Sequence, residues 1–209
     1  RTYVSIGICT LILGVMLLFA SLVSANSIKA ITFPTNNGVG PRCVVRTPDK
    51  TIHAVYWIKQ GERSAVYYIN SGDNGLNWTP PFLLSQNYDD SAEATLAVDE
   101  TGKAYVFWAD AGKILYSISA DNGRTWSPVY KVNGQYANAH APTAIVGREG
   151  NIYVAFESNG DIYYRVYVAK DNSWSALFNI SQSDAVSKTP QISLANSGAI
   201  GVVWNENGD

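Results

Sequence analysis

The 209-residue chain is short of cysteine, histidine and net charge, and each shortage narrows what the protein can be. It has two cysteines. Cys9 lies inside an apolar run with no helix-length segment before it, unlike a lipoprotein cysteine. Once that run is removed Cys43 stands alone, and no internal disulfide can form. Cys43 falls at an inward strand position with no base marked nearby, so it reads as a small core residue rather than a nucleophile. With two histidines, and no grouping of His, Cys and carboxylate at ligand spacing, neither a metal centre nor a cofactor is expected. Fifteen Lys and Arg against 17 Asp and Glu leave a net charge of −2, which speaks against a nucleic-acid or anionic-membrane surface. There is a single long hydrophobic run, residues 6–23. It follows Arg1 and ends in Val23-Ser-Ala25, a small-residue pattern suited to cleavage after Ala25. Residues 1–25 read as a secretory signal or, at about 18 apolar residues, as an uncleaved membrane anchor over 6–23. In either case the remainder, beginning with a linker over 26–40, is expected outside the cytosol, and the membrane enters only through this segment.

What the chain does have is repetition. Ser71-Gly-Asp-Asn-Gly-Leu-Asn-Trp78 returns as Ser119-Ala-Asp-Asn-Gly-Arg-Thr-Trp126, and Ala169-Lys-Asp-Asn-Ser-Trp174 is a weaker third copy. Trp78, Trp126 and Trp174 are thus spaced by 48 residues, a period typical of propeller blades or a solenoid. Upstream of each turn lie β-branched and aromatic runs: Ile52-His-Ala-Val-Tyr-Trp57, Ala104-Tyr-Val-Phe-Trp108, Ile152-Tyr-Val-Ala-Phe156 and Ala199-Ile-Gly-Val-Val-Trp204. Each reads as a buried strand flanked by hairpin partners, with Gly, Asn or Asp supplying positive φ at the turns. Four antiparallel strands per unit describe an all-β fold, a β-propeller of four-stranded blades. The spacing places blades at 41–86, 87–135, 136–183 and a truncated 184–209, about three and a half in all. With no initiating Met and an end after the second strand of the fourth unit, an incomplete ring is expected over 41–209.

The octapeptide resembles the Asp-box or BNR repeat, Ser-x-Asp-x-Gly-x-Thr-Trp, of sialidases and related propellers. Ser119, Asp121, Gly123, Thr125 and Trp126 match every position. The first copy matches at Ser71, Asp73, Gly75 and Trp78, with Asn77 in place of the threonine; the third lacks the glycine and, if Asp171 is matched to Asp121, is two residues shorter. These residues are structural: a glycine at positive φ, a carboxylate for stray backbone N–H groups and an indole closing the apolar layer beneath.

Strand direction alternates within a blade, so these turns share a face with the first turns, while the second turns and blade-to-blade links occupy the opposite face. The resemblance puts the ligand on that opposite face. Arg42, Asp89 and Asp110 are the catalytic candidates there; Arg63, Tyr88, Asp90, Tyr136, Asn138, His140, Glu157 and Asp184 are the ligand-face candidates, with carboxylates, amides and tyrosines suited to a sugar. A sialidase of this family would need three arginines on a sugar carboxylate, a Tyr/Glu nucleophile pair and an aspartate acid/base, the first arginine in Arg-Ile-Pro. Gly40-Pro-Arg-Cys43, His140-Ala-Pro-Thr143 and Lys188-Thr-Pro-Gln191 all lack Arg two places before Pro. The expected protein is therefore a secreted or surface-anchored propeller that recognises a glycan or extracellular protein without cleaving it. The alternative is an exo-sialidase or other glycoside hydrolase whose remaining residues lie elsewhere.

Overall fold

A computed structural model describes residues 37–38, 43–87 and 90–207, and all structural statements concern these. The N-terminal signal or anchor, the linker apart from 37–38, and Arg42, Tyr88 and Asp89 lie outside them. The described residues are all-β, without a helix. The first sheet comprises β1 (Asn37–Gly38), β2 (Val44–Arg46), β3 (Ile52–Gln60), β4 (Arg63–Ser71) and β5 (Phe82–Leu83). The second comprises β6 (Ser91–Val98), β7 (Ala104–Asp110), β8 (Lys113–Ser119) and β9 (Tyr130–Lys131). The third holds β10 (Ala139–Val146), β11 (Ile152–Ser158), β12 (Asp161–Val168), β13 (Ser173–Trp174) and β14 (Phe178–Asn179); β15 (Val186–Leu194) pairs with β16 (Ile200–Asn207) as a fourth. Every pairing within these sheets is antiparallel. β1 and β2 both pair with β3 and together take the place that β6 and β10 fill in their own sheets.

Burial follows position in the sheet. β7, central in its sheet, is buried at every residue, which is why Ala-Tyr-Val-Phe-Trp-Ala carries no polar alternation. The two-residue outer strand β9 is exposed throughout. Apolar layers form between successive sheets: Val55, Val66, Leu96, Val106, Trp108 and Leu115 join the first to the second, and Phe107, Ile114, Ile152, Val154 and Phe156 join the second to the third. β6 lies against β10 and β10 against β15, so first strands neighbour one another and the fourth strands lie farther out. Tandem antiparallel sheets arranged this way constitute a propeller-like fold.

One irregularity repeats with the fold. The β6–β7, β10–β11 and β15–β16 ladders each slip register near their start, between Ala92 and Thr95, His140 and Thr143, and Lys188 and Gln191. Glu93, Ala141 and Thr189 sit at the slips with φ of 53°, 49° and 52°. A bulge accommodates the prolines that follow in two of the three, Pro142 and Pro190, because the extra residue leaves the ladder without a bond there. The bulged amides are satisfied across the sheet boundary: Ala141 N donates to Glu93 Oε2 at 2.7 Å and Thr189 N to Glu157 Oε2 at 3.4 Å.

Candidate functional site

The two strong turn repeats are hydrogen-bonded alike. Ser119 Oγ donates to Asp121 Oδ1 and accepts from Gly123 N, both at 2.8 Å, while Thr125 N and Oγ1 donate to the two Asp121 oxygens at 2.8 and 2.6 Å. In the first turn Ser71 and Gly75 repeat this, and Asn77 substitutes its amide for the threonine hydroxyl, Nδ2 donating to Asp73 Oδ2 at 2.7 Å. These donors hold both carboxyls down to about 2: for Asp73 chiefly the Asn77 backbone N–H, for Asp121 chiefly the Thr125 hydroxyl. Trp78 and Trp126 return their indole N–H to the carbonyls of Gly75 and Gly123 at 3.1 and 3.2 Å. The serine, aspartate, glycine and tryptophan groups described bond within their own turn, which is the work of a brace, while Asn74 Oδ1 accepts from Arg46 and the Asn122 carbonyl from Tyr68 and Asn70 outside it. The third repeat is a different device of the same length. Trp174 pairs with Tyr167 across a tight turn, and the 48-residue register continues on both sides, so Ala169, not Asp171, stands where Asp121 does.

At the other end of the sheets, the third sheet gathers a group of side chains suited to contact a ligand. His140, 47% exposed in its side chain, places Nε2 3.3 Å from Oε1 of Glu157, which is 5% exposed. The register pairs these residues directly across β10 and β11, one step before the bulge. Glu157 is thus a buried carboxylate with one oxygen toward the imidazole and the other on Thr189 N. Beside it, Asn138 Nδ2 donates to Asn159 Oδ1 at 2.9 Å, tying the incoming link to the β11–β12 turn. Farther out Tyr136, 36% exposed, leans on Tyr163 with ring centroids 4.7 Å apart. From inner to outer strand the end of this sheet presents a histidine on a carboxylate, a pair of amides and an aromatic surface.

The other expected residues are dispersed. Asp110 is 5% exposed, and its Oδ1 accepts from Ser91 Oγ at 2.9 Å and Asp90 N at 3.3 Å, closing the start of the second sheet. Asp90 is exposed and bridges to Ser64, Arg63 opens β4 on the surface, and Asp184 is exposed on the link to the fourth sheet. Cys43 is partly buried against the first apolar layer, and that burial pushes its thiol up. Among the described residues no three His, Cys, Asp or Glu side chains converge as a metal site. Two residues that the sequence did not single out matter here. Tyr163 supplies the platform under Tyr136, and aligns at the 48-residue offset with Leu115; Arg165, mid-strand, donates to the carbonyls of Ser175 and Val132.

The Phytase family profile matches residues 57–201. A search of curated protein sequences finds no match. Among solved structures, the NanB sialidase of Streptococcus pneumoniae superposes with a TM-score of 0.59 at 20% identity, over 77% of this chain and 26% of that one. A Hadza microbial sialidase gives 0.62 at 16% identity over 80% and 42%, and an ulvan-type polysaccharide lyase gives 0.57 at 14% over 86% and 53%. The chain thus spans between a quarter and about half of the proteins it superposes on, and the likeness is one of fold.

Proposed function

Because the chain belongs to the Phytase family, a β-propeller family, we propose that its sheets form part of a secreted or surface-anchored propeller that recognises a glycan at the end of the third sheet. The observation that carries this reading is the row His140–Glu157, Asn138–Asn159 and Tyr136–Tyr163. Sugars are bound by an aromatic face against C–H groups and by fixed polar groups on hydroxyls, and a buried carboxylate holds a histidine in one orientation at little entropic cost. Export through residues 1–25 belongs to the same proposal, as does a role as a recognition domain that leaves its ligand intact.

The arginine pattern favours recognition over sialoside cleavage. Arg165 is committed to the carbonyls of Val132 and Ser175, Arg46 to Asn74, and Arg124 and Arg148 lie in turns at the opposite end of the sheets, which leaves Arg63 as the arginine on the ligand side among the described residues. A three-arginine carboxylate clamp is not assembled from these. The family match supports a second reading, hydrolysis of a phosphate ester such as phytate, with His140 as the proton-carrying group.

One experiment separates the readings. The chain is put on a glycan array and, in parallel, assayed with phytate, a fluorogenic sialoside and a panel of aryl glycosides. Recognition predicts array binding that Tyr136→Ala and His140→Ala each weaken, without turnover. Phosphate or aglycone release that His140→Ala abolishes would replace recognition with catalysis, and neither binding nor turnover would sink both.

A further inference from the structure

A groove of about 430 Å³ runs along the outer side of the first two sheets, lined by Phe82, Leu84 and Gln86 from the first and Ser117, Trp126 and Ser127 from the second. The repeat shows what the equivalent groove, between the second and third sheets, contains. Ser127 N donates to Ile118 O and Ser175 N to Val166 O; Leu84 N donates to Val66 O and Val132 N to Ile114 O. Tyr68 faces Phe82, Tyr116 faces Tyr130 and Tyr164 faces Phe178. Each pair of matches is 48 residues apart, so Ser117 and Arg165 occupy the same position in successive sheets.

Arg165 fills its groove. Its Nε donates to Ser175 O at 2.8 Å, its Nη1 to Val132 O at 2.6 Å, and the guanidinium lies 5.5 Å from the Trp174 ring centre. Ser117 reproduces one of these contacts, Oγ donating to Ser127 O at 2.9 Å. It cannot reach the carbonyl of Leu84, the counterpart of Val132, or the face of Trp126, the counterpart of Trp174. Both indoles stand edge-on to the tyrosine of the preceding sheet, Trp126 at 68° to Tyr68 and Trp174 at 76° to Tyr116. The groove keeps the carbonyls and the edge-on indole of that cradle without the guanidinium, although Phe82 leans on Trp126 and the Trp126 N–H turns to Gly123 O, whereas the Trp174 N–H goes to Tyr116.

We propose that the groove between the first and second sheets binds a guanidinium group, the side chain of an arginine on a partner protein. Planarity and splayed N–H donors suit a cradle of the Leu84 carbonyl, the Ser127 carbonyl that already accepts one bond from Ser117, and one indole, which a compact ammonium fits poorly. The groove opens toward solvent at Gln86, Asn87 and Pro128, all exposed, so an arginine presented by another polypeptide can enter from the rim. It is formed by the first two sheets rather than the end of the third, and stands or falls independently of the glycan site proposed there.

The test titrates the full chain with an acetylated and amidated Gly-Gly-Arg-Gly-Gly peptide, its citrulline counterpart and methylguanidinium, following the Trp126 indole by NMR. The expected result is a single site for the arginine peptide, with affinity roughly ten-fold or more lower for the isosteric neutral citrulline. Ser117→Arg, which fills the groove from within, should abolish binding, and Arg165→Ser should open a second site that shifts the Trp174 indole. Equal binding of the citrulline peptide, or retained binding in a folded Ser117→Arg chain, would overturn the proposal. Binding of methylguanidinium but not of the peptide would overturn the partner. Should Ser117→Arg fail to fold, the citrulline comparison and the site count of Arg165→Ser decide alone.

Discussion

His53 makes the folded protein acid-sensitive below the ordinary histidine range. Its side chain is fully buried in β3, with Nδ1 2.6 Å from the Tyr68 hydroxyl and Nε2 without a hydrogen-bond partner among the described residues. Tyr68 is itself 3.4 Å from the carbonyl of Asn122 in the neighbouring turn. The network favours the tautomer with its proton on Nδ1, donating to Tyr68, whose hydroxyl donates onward to Asn122; a bare Nε2 acceptor costs less than an orphaned donor there. Protonation would place an unpaired N–H and a charge in that site, and burial accordingly pushes the imidazole below its ordinary 6.5, with nearby Asp49 opposing the shift.

The sign follows from which state takes the proton first. With the folded value lowered, the unfolded chain protonates first, so this contribution is complete above about pH 6.5 and drains away below it. Each pH unit below that point costs about 1.4 kcal/mol until the folded value is reached. Urea unfolding followed by tryptophan fluorescence from about pH 5 to about pH 8 measures the slope. His53→Phe should flatten it, leaving the Tyr68 hydroxyl its contacts with Asn122 and Asn70. The other histidine, His140, is half-exposed and remains in both proteins as an internal reference. Equal slopes below about pH 6.5 in the two proteins would refute the argument.

Two glycines with nearly the same φ, 85° and 80°, separate conformational strain from steric contact. Gly75→Ala meets nothing closer than 3.7 Å and should cost about 1 kcal/mol, whereas the Cβ of Gly123→Ala would lie 2.0 Å from Tyr68 and should cost several-fold more in the same urea assay. Asp73 and Asp121, at about 2 when folded, contribute stability that is complete above about pH 4 and lost as pH falls through about 2; the paired Asn substitutions should flatten acid unfolding in that range. Phe156→Ala, at a fully buried position between the second and third sheets, should cost about 3–5 kcal/mol by thermal unfolding.

The repeat carried most of the fold. Alternating turns, a constant tryptophan spacing and β-branched runs place the starts of β3, β7 and β11 at their observed residues and their ends two or three residues short, because each is a local pattern repeated under the same packing demand. The bulges at Glu93, Ala141 and Thr189 stayed hidden, because no local pattern encodes Glu93 of one sheet meeting the Ala141 amide of the next. Of the candidate site, alternation alone put His140 and Glu157 at the same end of the sheet. That they touch, and that Tyr136 rests on Tyr163, depends on side-chain packing between strands. Arg165 was legible only in part: its place in mid-strand is in the sequence, its partners Val132 and Ser175 are brought to it by two other strands.

Repetition also indicates where to look for function, because the sheets act as controls for one another. At the three bulges the backbone is held constant, yet the preceding residues are Ala92, His140 and Lys188. The shared geometry answers a folding requirement, and the residue that varies on it is free to answer something else. The same logic applies at 117 and 165, where one position holds serine in an open groove and arginine in a filled one. In the turns the opposite holds: Asn77 and Thr125 differ, but both donate to both oxygens of their aspartate, so the variation is neutral to the brace. A difference that preserves its contacts points to structure, and a difference that removes them, as at Ser117 and Ala92, marks a surface whose chemistry is local to one sheet. His140 and Ser117 are for that reason the two positions at which substitution should alter binding while leaving the sheets intact.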